Sequence, residues 1–201
     1  MSGVPLLVEA AGLQVLIVGG GAVAARKAAV LHAAGATVLV VAPELCDAMS
    51  DLVLSGGVTV ERRRYRAADI GSALLVIAAT DDRAVNAAVA ADARAACRMA
   101  NVVDATEEGT FATMATHRAG MLVVGVSAGV PAGAARIRDA IAERFDERYA
   151  SALAEMGALR DRLLADGRAD EWRRASAAVT DAAFCEAVET GTLHERMPVW
   201  R

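Results

Sequence analysis

The sequence lacks an excess of positive charge and has few aromatic side chains, and each shortage excludes a class of protein. Its 201 residues carry 21 basic against 25 acidic side chains, for a net charge of −4. A general nucleic-acid-binding protein normally presents a basic face, so none is expected here. Aromatic residues make up 3% although hydrophobic residues make up 55%. This composition favours closely packed, alanine-rich helices over an aromatic binding surface. Lys27 is the only lysine, so arginine supplies almost all of the positive charge.

Cysteines are also scarce, and no segment has the pattern of a targeting or membrane sequence. Cys46, Cys97 and Cys185 are odd in number and far apart, which argues against a disulfide framework and against a structural metal site. The first ten residues, MSGVPLLVEA, do not have the basic and apolar regions of an export signal. No apolar run approaches the roughly 20 residues of a membrane span. We therefore expect a cytoplasmic protein that makes no membrane contact.

Short apolar runs alternate with helical patterns in the first half of the chain. Such alternation predicts a parallel, doubly wound sheet with helices on both faces. The predicted strands are 13–18, 37–42, 58–63, 73–80 and 99–104. The predicted helices are 22–34, a helix opened by Pro43 that runs to about Leu54, and 81–97, for which Thr80 or Asp81 is the expected cap.

The pattern changes after Asp104. Residues 110–117 and 120–129 resemble two strands without a helix between them, which indicates an antiparallel pair or hairpin. Everything from Pro131 on has helical periodicity, first as one long helix or two closed by Gly167 and then as two shorter helices. We predict a Rossmann-type α/β domain over 1–108, a strand-pair unit over 109–135 and a helical unit over 136–201.

A glycine cluster follows the first predicted strand. Gly19, Gly21 and Ala24 match G-x-G-x-x-G/A, in which the glycines allow a tight turn and close approach of a pyrophosphate to the backbone. The helix N-terminus that follows offers free N–H groups to the phosphates. We predict a dinucleotide site at Gly19, Gly21 and the start of the helix that follows. A tight turn without a ligand is the alternative.

The end of the second strand bears on the choice of dinucleotide. The fingerprint places a carboxylate there for the ribose 2′-hydroxyl, whereas this chain has Ala42 followed by Pro43 and Glu44. Glu44 or backbone groups can take that role. No arginine follows the strand directly to bind a 2′-phosphate. NAD is therefore favoured over NADP.

Polar residues end two further strands at the edge where such sheets bind ligands. We expect Thr80 and Asn101 to contribute to the cofactor site, with helix capping and a satisfied polar group inside the sheet as their alternatives. Asp104 ends a buried strand and has no helix after it to cap. A carboxylate there can act as a general base or fix a cationic nitrogen.

The remaining polar patterns favour structural roles. The run 61–66, ERRRYR, contains Arg62, Arg63 and Arg64, and a solvated charge run is its default interpretation. An anion-binding rim is the alternative. His117 stands alone near a predicted strand end, and a lone histidine is more often structural than catalytic.

Taken in order, five segments resemble one protein family. They are VGGGAVAARKA, VVAPE, IAATDD, NVVDA and SAG…P..AARIRDAI. The combination is similar to the precorrin-2 dehydrogenases, which include the N-terminal part of the siroheme synthases and stand-alone relatives. The resemblance extends along nearly the whole chain.

The resemblance implies NAD-dependent oxidation of precorrin-2 to sirohydrochlorin, a step of siroheme biosynthesis, by a homodimer. It also implies that the strand pair of 109–135 serves dimerisation and the substrate site. It implies that Ala22, Val23, Pro43 and Glu44 contact NAD and that Asp104 is the catalytic carboxylate. Some members also insert a metal ion, usually ferrous iron, so ferrous or cobaltous ion is a second expected substrate beside the tetrapyrrole.

The departures from the family pattern lie in the second half. Thr106 and Met114 stand where the family commonly has proline, and residues 127–131, SAGVP, are about two residues shorter than the family's loop with fewer hydroxyls. Metal insertion is therefore left open. Two alternatives remain beside the first interpretation, namely a relative that acts on another substrate and an NAD-sensing module without turnover.

Overall fold

The computed structural model of the chain describes residues 3–197. These residues divide into two compact units, with the boundary between Thr113 and Met114. No helix among the described residues is both long and apolar enough to cross a membrane.

The first unit is built on a five-stranded parallel sheet in the order β3-β2-β1-β4-β5. The chain moves outward from β1 to β2 and β3, then returns to place β4 on the other side of β1, so the order reverses beside β1. Its strands are β1 (Gln14–Val18), β2 (Thr37–Val41), β3 (Thr59–Glu61), β4 (Leu75–Ala78) and β5 (Met99–Val102). Its helices are α1 (Ala22–Ala33), α2 (Asp47–Leu54) and α3 (Arg83–Ala95), with short 3₁₀ turns at Ala67–Ile70 and Thr106–Glu108.

The sheet is buried on both faces, as its nearly continuous apolar strands predict. Residues of β1, β2 and β4 pack on one face against α1 and α2, where Ala24 and Met49 are fully buried. The opposite face packs against α3 through Val89 and Ala93. Alanine at these positions lets the helices lie close to the strands.

The second unit contains an antiparallel pair, β6 (Ala115–Ala119) and β7 (Leu122–Val126), joined by a turn at Gly120 and Met121. Gly120 has a φ of +56°, which suits glycine. Four helices and a 3₁₀ turn follow: α4 (Pro131–Arg144), α5 (Glu147–Ala165), α6 (Ala169–Val179), α7 (Phe184–Glu189) and Leu193–Arg196. The predicted fold class, a Rossmann-type sheet followed by a strand pair and helices, is confirmed.

Three local predictions were wrong. The helix α2 begins at Asp47 and not at Pro43, because the backbone N–H of Cys46 first donates to the carbonyl of Gly20 at 2.9 Å. The cap of α3 is Asp82, whose carboxylate accepts from the N–H groups of Ala84 and Val85 at 2.9 and 3.2 Å.

The third correction concerns the strand predicted over 110–117, which begins at Ala115. Its first residues are held in the first unit, since the N–H groups of Thr110 and Phe111 both donate to the carbonyl of Ala100, at 2.7 and 3.2 Å. The segment predicted as one long helix or two is two, and the break falls at Phe145 and Asp146.

Candidate active site

The glycine loop between β1 and α1 is held between the loops that follow β2 and β4. Gly19 has a φ of +124°, and a Cβ atom on it would lie 2.1 Å from the carbonyl oxygen of Ala79. A Cβ on Gly20 would lie 2.0 Å from the carbonyl oxygen of Glu44. Both contacts are to backbone, which cannot move aside as a flexible side chain can. Gly20 is therefore as necessary to this turn as Gly19, a role that the fingerprint alone did not assign to it.

Gly21 differs from its two neighbours because the space around it is open. A Cβ atom built on it would meet no atom within 4 Å, and its side of the loop is exposed. Gly21 is also the N-cap of α1 and has no side chain with which to cap the helix. The first N–H groups of α1 therefore remain available to an outside acceptor.

The first turn of α1 combines exposure with close packing. Ala22 and Val23 face outward, while Ala24 is completely buried against the sheet. The helix thus lies close to β1 and directs its partial positive charge at the open space beside Gly21. A pyrophosphate fits this arrangement, so the residues present suit a dinucleotide.

The loop after β2 borders the glycine loop and carries the carboxylate nearest to it in sequence. Ala42 is buried, and its N–H donates to the carbonyl of Glu61 on β3 at 3.2 Å. Pro43 and Glu44 are exposed, and the Glu44 backbone packs against Gly20. The two predicted cofactor residues are thus placed beside the glycine loop, where the ribose of a dinucleotide binds in this fold.

The loop after β4 is fixed by Asn86, a residue that the sequence analysis did not single out. The Asn86 side chain is fully buried in α3. Its Oδ1 accepts from the N–H of Thr80 at 3.1 Å and from the Thr80 hydroxyl at 2.8 Å, and its Nδ2 donates to the Thr80 carbonyl at 2.9 Å. The Thr80 side chain is therefore occupied within the protein. Its prediction as a cofactor contact stays a prediction.

Asn101 on β5 is buried and only partly satisfied. Its neighbours Ala100 and Val102 face α3, so strand alternation directs Asn101 to the face that carries α1. Its Nδ2 donates to the carbonyl of Phe111 at 3.1 Å, whereas its buried Oδ1 has no partner among the described residues. Part of its role is to hold the segment that follows Asp104, and the oxygen remains free to accept a hydrogen bond.

Asp104 follows β5 at the carboxyl edge of the sheet and is partly exposed. No hydrogen bond to its carboxylate is formed by the residues in the range 3–197, but the Nε of Arg83 lies 3.9 Å from its Oδ2. Arg83 also contacts Glu108, and the Nη2 of Arg94 donates to the Glu108 carbonyl at 3.1 Å. The loop that carries Asp104 is thus tied to both ends of α3.

Lys27 was not predicted to have a role, and the structure gives it one. Its Nζ donates to the hydroxyl of Thr113 at 2.9 Å. Burial, with a smaller contribution from Arg26, lowers the pKa of Lys27. Lys27 on α1 and Asn101 on β5 together hold the segment from Phe111 to Thr113 against the sheet.

In the arginine run after β3, Arg63 forms structural ion pairs and the neighbouring arginines are exposed. Arg63 donates to both carboxylate oxygens of Asp69, at 2.8 and 2.6 Å, and also contacts Glu61. The Arg63 hydrogen bonds lower the pKa of Asp69. Arg62 and Arg64 are exposed, as a solvated run predicts.

In the second unit, His117 lies within β6 and donates through Nε2 to the carbonyl of Phe145 at 2.6 Å. It therefore fills a structural role at the end of α4. Met114 packs over Gly125, and the residues Ser127 to Val130 are all exposed before Pro131 opens α4.

The fold and the glycine loop are those of a dinucleotide-binding α/β protein. Residues 6–115 match the family model described as "Putative NAD(P)-binding". Because this match spans more than half of the chain, the chain belongs to this NAD(P)-binding family. The predicted nicotinamide cofactor is thereby confirmed, with the choice between NAD and NADP still open.

The sequence is similar to siroheme synthases, which supports the resemblance described above. A siroheme synthase of Pseudomonas putida (strain W619) is 47% identical over 129 residues, which are 64% of this chain and 28% of that protein. A siroheme synthase of Chromobacterium violaceum is 37% identical over 167 residues, 71% of this chain and 36% of that protein. The chain thus spans roughly a third of the length of these relatives.

A solved structure named "SirC, precorrin-2 dehydrogenase" is similar with a TM-score of 0.78 over 98% of both chains, at 20% identity. At this identity the likeness shows the fold. Together with the siroheme synthases, it confirms the predicted resemblance to the precorrin-2 dehydrogenases.

Proposed function

We propose that the protein is an NAD-dependent precorrin-2 dehydrogenase that acts in siroheme biosynthesis. The observation that carries this proposal is the placement of Asp104 at the same carboxyl edge as the glycine loop. Strands β1 and β5 are separated only by β4, so the two sites are on the order of 10 Å apart across the sheet. A dinucleotide whose pyrophosphate lies at Gly21 can reach Asp104 with its nicotinamide end.

The chemistry requires one hydride acceptor and one proton acceptor. Oxidation of precorrin-2 to sirohydrochlorin removes two hydrogens, one as a hydride and one as a proton, and bound NAD supplies the hydride acceptor. We assign the proton to the carboxylate of Asp104, whose oxygens accept no hydrogen bond from the described residues. The exposed fraction of its side chain, 34%, leaves it open to a substrate.

We infer that the cofactor is NAD and not NADP. Glu44, with the first carboxylate after β2, is exposed beside the glycine loop. A carboxylate there favours a ribose 2′-hydroxyl as hydrogen-bond donor and repels a 2′-phosphate. Of the arginines after β3, Arg63 is engaged by Asp69 and Glu61, whereas Arg62 and Arg64 are exposed, so the inference of NAD rests on Glu44.

Homodimerisation and the cytoplasmic location are further parts of the proposal. The second unit exposes large apolar side chains, with Met121 at 68%, Val130 at 62% and Ile137 at 48% exposure. Homodimerisation itself is proposed from the resemblance to the precorrin-2 dehydrogenases, and these three side chains are candidates for burial by a second copy. Cys46, Cys97 and Cys185 are free thiols, which is usual in a reducing compartment.

One observation supports an alternative substrate. The exposed loop from Ser127 to Val130 is one of the places at which the chain departs from the family pattern, beside Thr106 and Met114. A relative that binds another polycarboxylate in the same site is therefore the second candidate. The same departure leaves insertion of ferrous or cobaltous ion as a separate question for the experiment.

The test is an anaerobic assay with freshly generated precorrin-2 and either NAD or NADP. NADH formation and the sirohydrochlorin absorption spectrum are followed together, and ferrous or cobaltous ion is then added. Production of both compounds in equal amounts with NAD supports the proposal. Absence of turnover by a folded protein that binds NAD would overturn it in favour of another substrate or a sensor.

A further inference from the structure

Arg83 is the first residue of α3, an unfavourable place for a positive charge. The N-terminus of a helix carries a partial positive charge, and cations are stabilising at the other end. The first turn of α3 contains no acidic residue to offset it, and the Asp82 cap is occupied by the N–H groups of Ala84 and Val85. The acidic groups that the Arg83 guanidinium approaches therefore lie outside α3.

Those partners are two carboxylates of the loop after β5. The Nη2 of Arg83 is in direct contact with Glu108, whereas its Nε is 3.9 Å from the Oδ2 of Asp104. The second distance is too long for a hydrogen bond but short enough for charge attraction. Glu108 thus takes the hydrogen bond, and Asp104 experiences the charge alone.

The loop that carries both carboxylates is fixed at its two ends. It leaves β5 at Asp104 and returns to it where Ala100 donates its N–H to the Thr110 hydroxyl at 2.8 Å. Between these points the Arg94 guanidinium holds the carbonyl of Glu108. The backbone of Glu108 is consequently fixed, and its carboxylate can hold the Arg83 guanidinium away from the Asp104 oxygens.

We propose that Arg83 is a positioning residue for the Asp104 carboxylate: Glu108 holds the guanidinium at a distance at which its charge attracts and orients that carboxylate while the Asp104 oxygens stay free for a substrate proton. A direct guanidinium–carboxylate pair would occupy those oxygens with two N–H donors. The inference rests on the proposed function, because it concerns the residue to which the proton was assigned.

Two substitutions of Arg83 distinguish the effect of its positive charge from the effect of its hydrogen bond to Glu108. Arg83→Lys keeps the positive charge without the planar fork, and Arg83→Gln keeps a hydrogen-bond donor without the charge. We expect Arg83→Gln to lower kcat about tenfold with little change in the NAD dissociation constant, and Arg83→Lys to recover most of the loss. If the two variants were equal in kcat, a purely structural tether would explain Arg83 and the inference would fail.

Substitution of Glu108, which holds the Arg83 guanidinium, provides a second test. Glu108→Gln weakens the hold on Arg83, so we expect the guanidinium to pair with Asp104 and kcat to fall. In an Arg83→Gln background the same change should have little further effect, since no guanidinium remains to be released. Additive losses in the double variant would contradict the arrangement. Arg94→Ala, which removes only the bond to the Glu108 carbonyl, is the matched control and should have the smaller effect.

A spectroscopic readout keeps this inference distinct from the proposed function. The ¹³Cγ resonance of Asp104 is followed at fixed pH while sodium chloride is raised to about 1 M, where the screening length is about 3 Å. We expect a salt-dependent shift in the unmodified protein that Arg83→Gln abolishes. An identical salt response in both proteins would overturn the inference whether or not precorrin-2 is oxidised. Lack of turnover with the expected salt response would overturn only the proposed function.

Discussion

Replacement of Asn86 by alanine tests the best-defined buried interaction of the first unit. The fully buried amide of Asn86 makes three hydrogen bonds to Thr80, at 3.1, 2.8 and 2.9 Å. Each such bond contributes about 1 kcal/mol net, and alanine leaves the Thr80 backbone groups without these partners. We therefore expect Asn86→Ala to lower the free energy of unfolding by about 3 kcal/mol.

The loss is measurable by urea titration and by thermal unfolding of the full chain. For a protein of this size about 3 kcal/mol corresponds to a decrease in Tm of about 6–12 °C. Thr80→Ala is the matched control. It keeps the two backbone bonds between Thr80 and Asn86 and removes the hydroxyl, which bonds the Asn86 Oδ1 at 2.8 Å and the Asp82 backbone at 3.0 and 3.2 Å. It should cost about 1–2 kcal/mol, less than Asn86→Ala. A loss below about 1 kcal/mol for Asn86→Ala would refute the assignment of Asn86 as the residue that fixes the loop after β4.

Two further predictions concern the glycine loop and the ion pair of Asp69. Gly20→Ala should be strongly destabilising, because its Cβ would lie 2.0 Å from the Glu44 carbonyl oxygen. Gly21→Ala should fold normally and weaken NAD binding about tenfold or more in calorimetry. Equal losses of stability in the two variants would contradict the separate roles of Gly20 in the turn and Gly21 at the cofactor. For Asp69, the Arg63 hydrogen bonds lower the pKa in the folded state, so its stabilising contribution is present above the unfolded pKa of about 3.9 and is lost as the pH falls through the folded value. The stability difference between the unmodified protein and Asp69→Asn should be constant from about pH 5 to pH 7 and shrink below about pH 4, and a pH-independent difference would refute the role of the Arg63 pair.

The sequence predicted the parallel sheet because buried strands and the glycine turn have strong local signals. Gly19 and Ala24 were recognisable from spacing alone, since each satisfies a steric requirement of the β1–α1 turn. The start of α2 was misplaced because proline is common in a first helical turn, while here the link between Cys46 and Gly20 delays the helix. A bond of this kind joins distant parts of the chain and has no local signal.

The contributions of Asn86, Lys27 and Glu108 were not predicted for the same reason. Asn86 does have a signal in retrospect, because it falls on the buried face of α3 with Val89 and Ala93, where a polar residue needs a partner. The pairing of Lys27 with Thr113 spans 86 positions, and that of Arg83 with Glu108 spans 25. Only the folded chain brings these groups together.

The most direct test of the central claim compares NAD binding and precorrin-2 oxidation in the Asp104→Asn variant. Asparagine has nearly the size of aspartate but cannot take a proton at neutral pH, and the glycine loop does not depend on it. We predict an unchanged NAD dissociation constant by calorimetry and a loss of at least about a hundredfold in kcat in the anaerobic assay. Full turnover by this variant would contradict the assignment of the proton to Asp104 and with it the proposed active site.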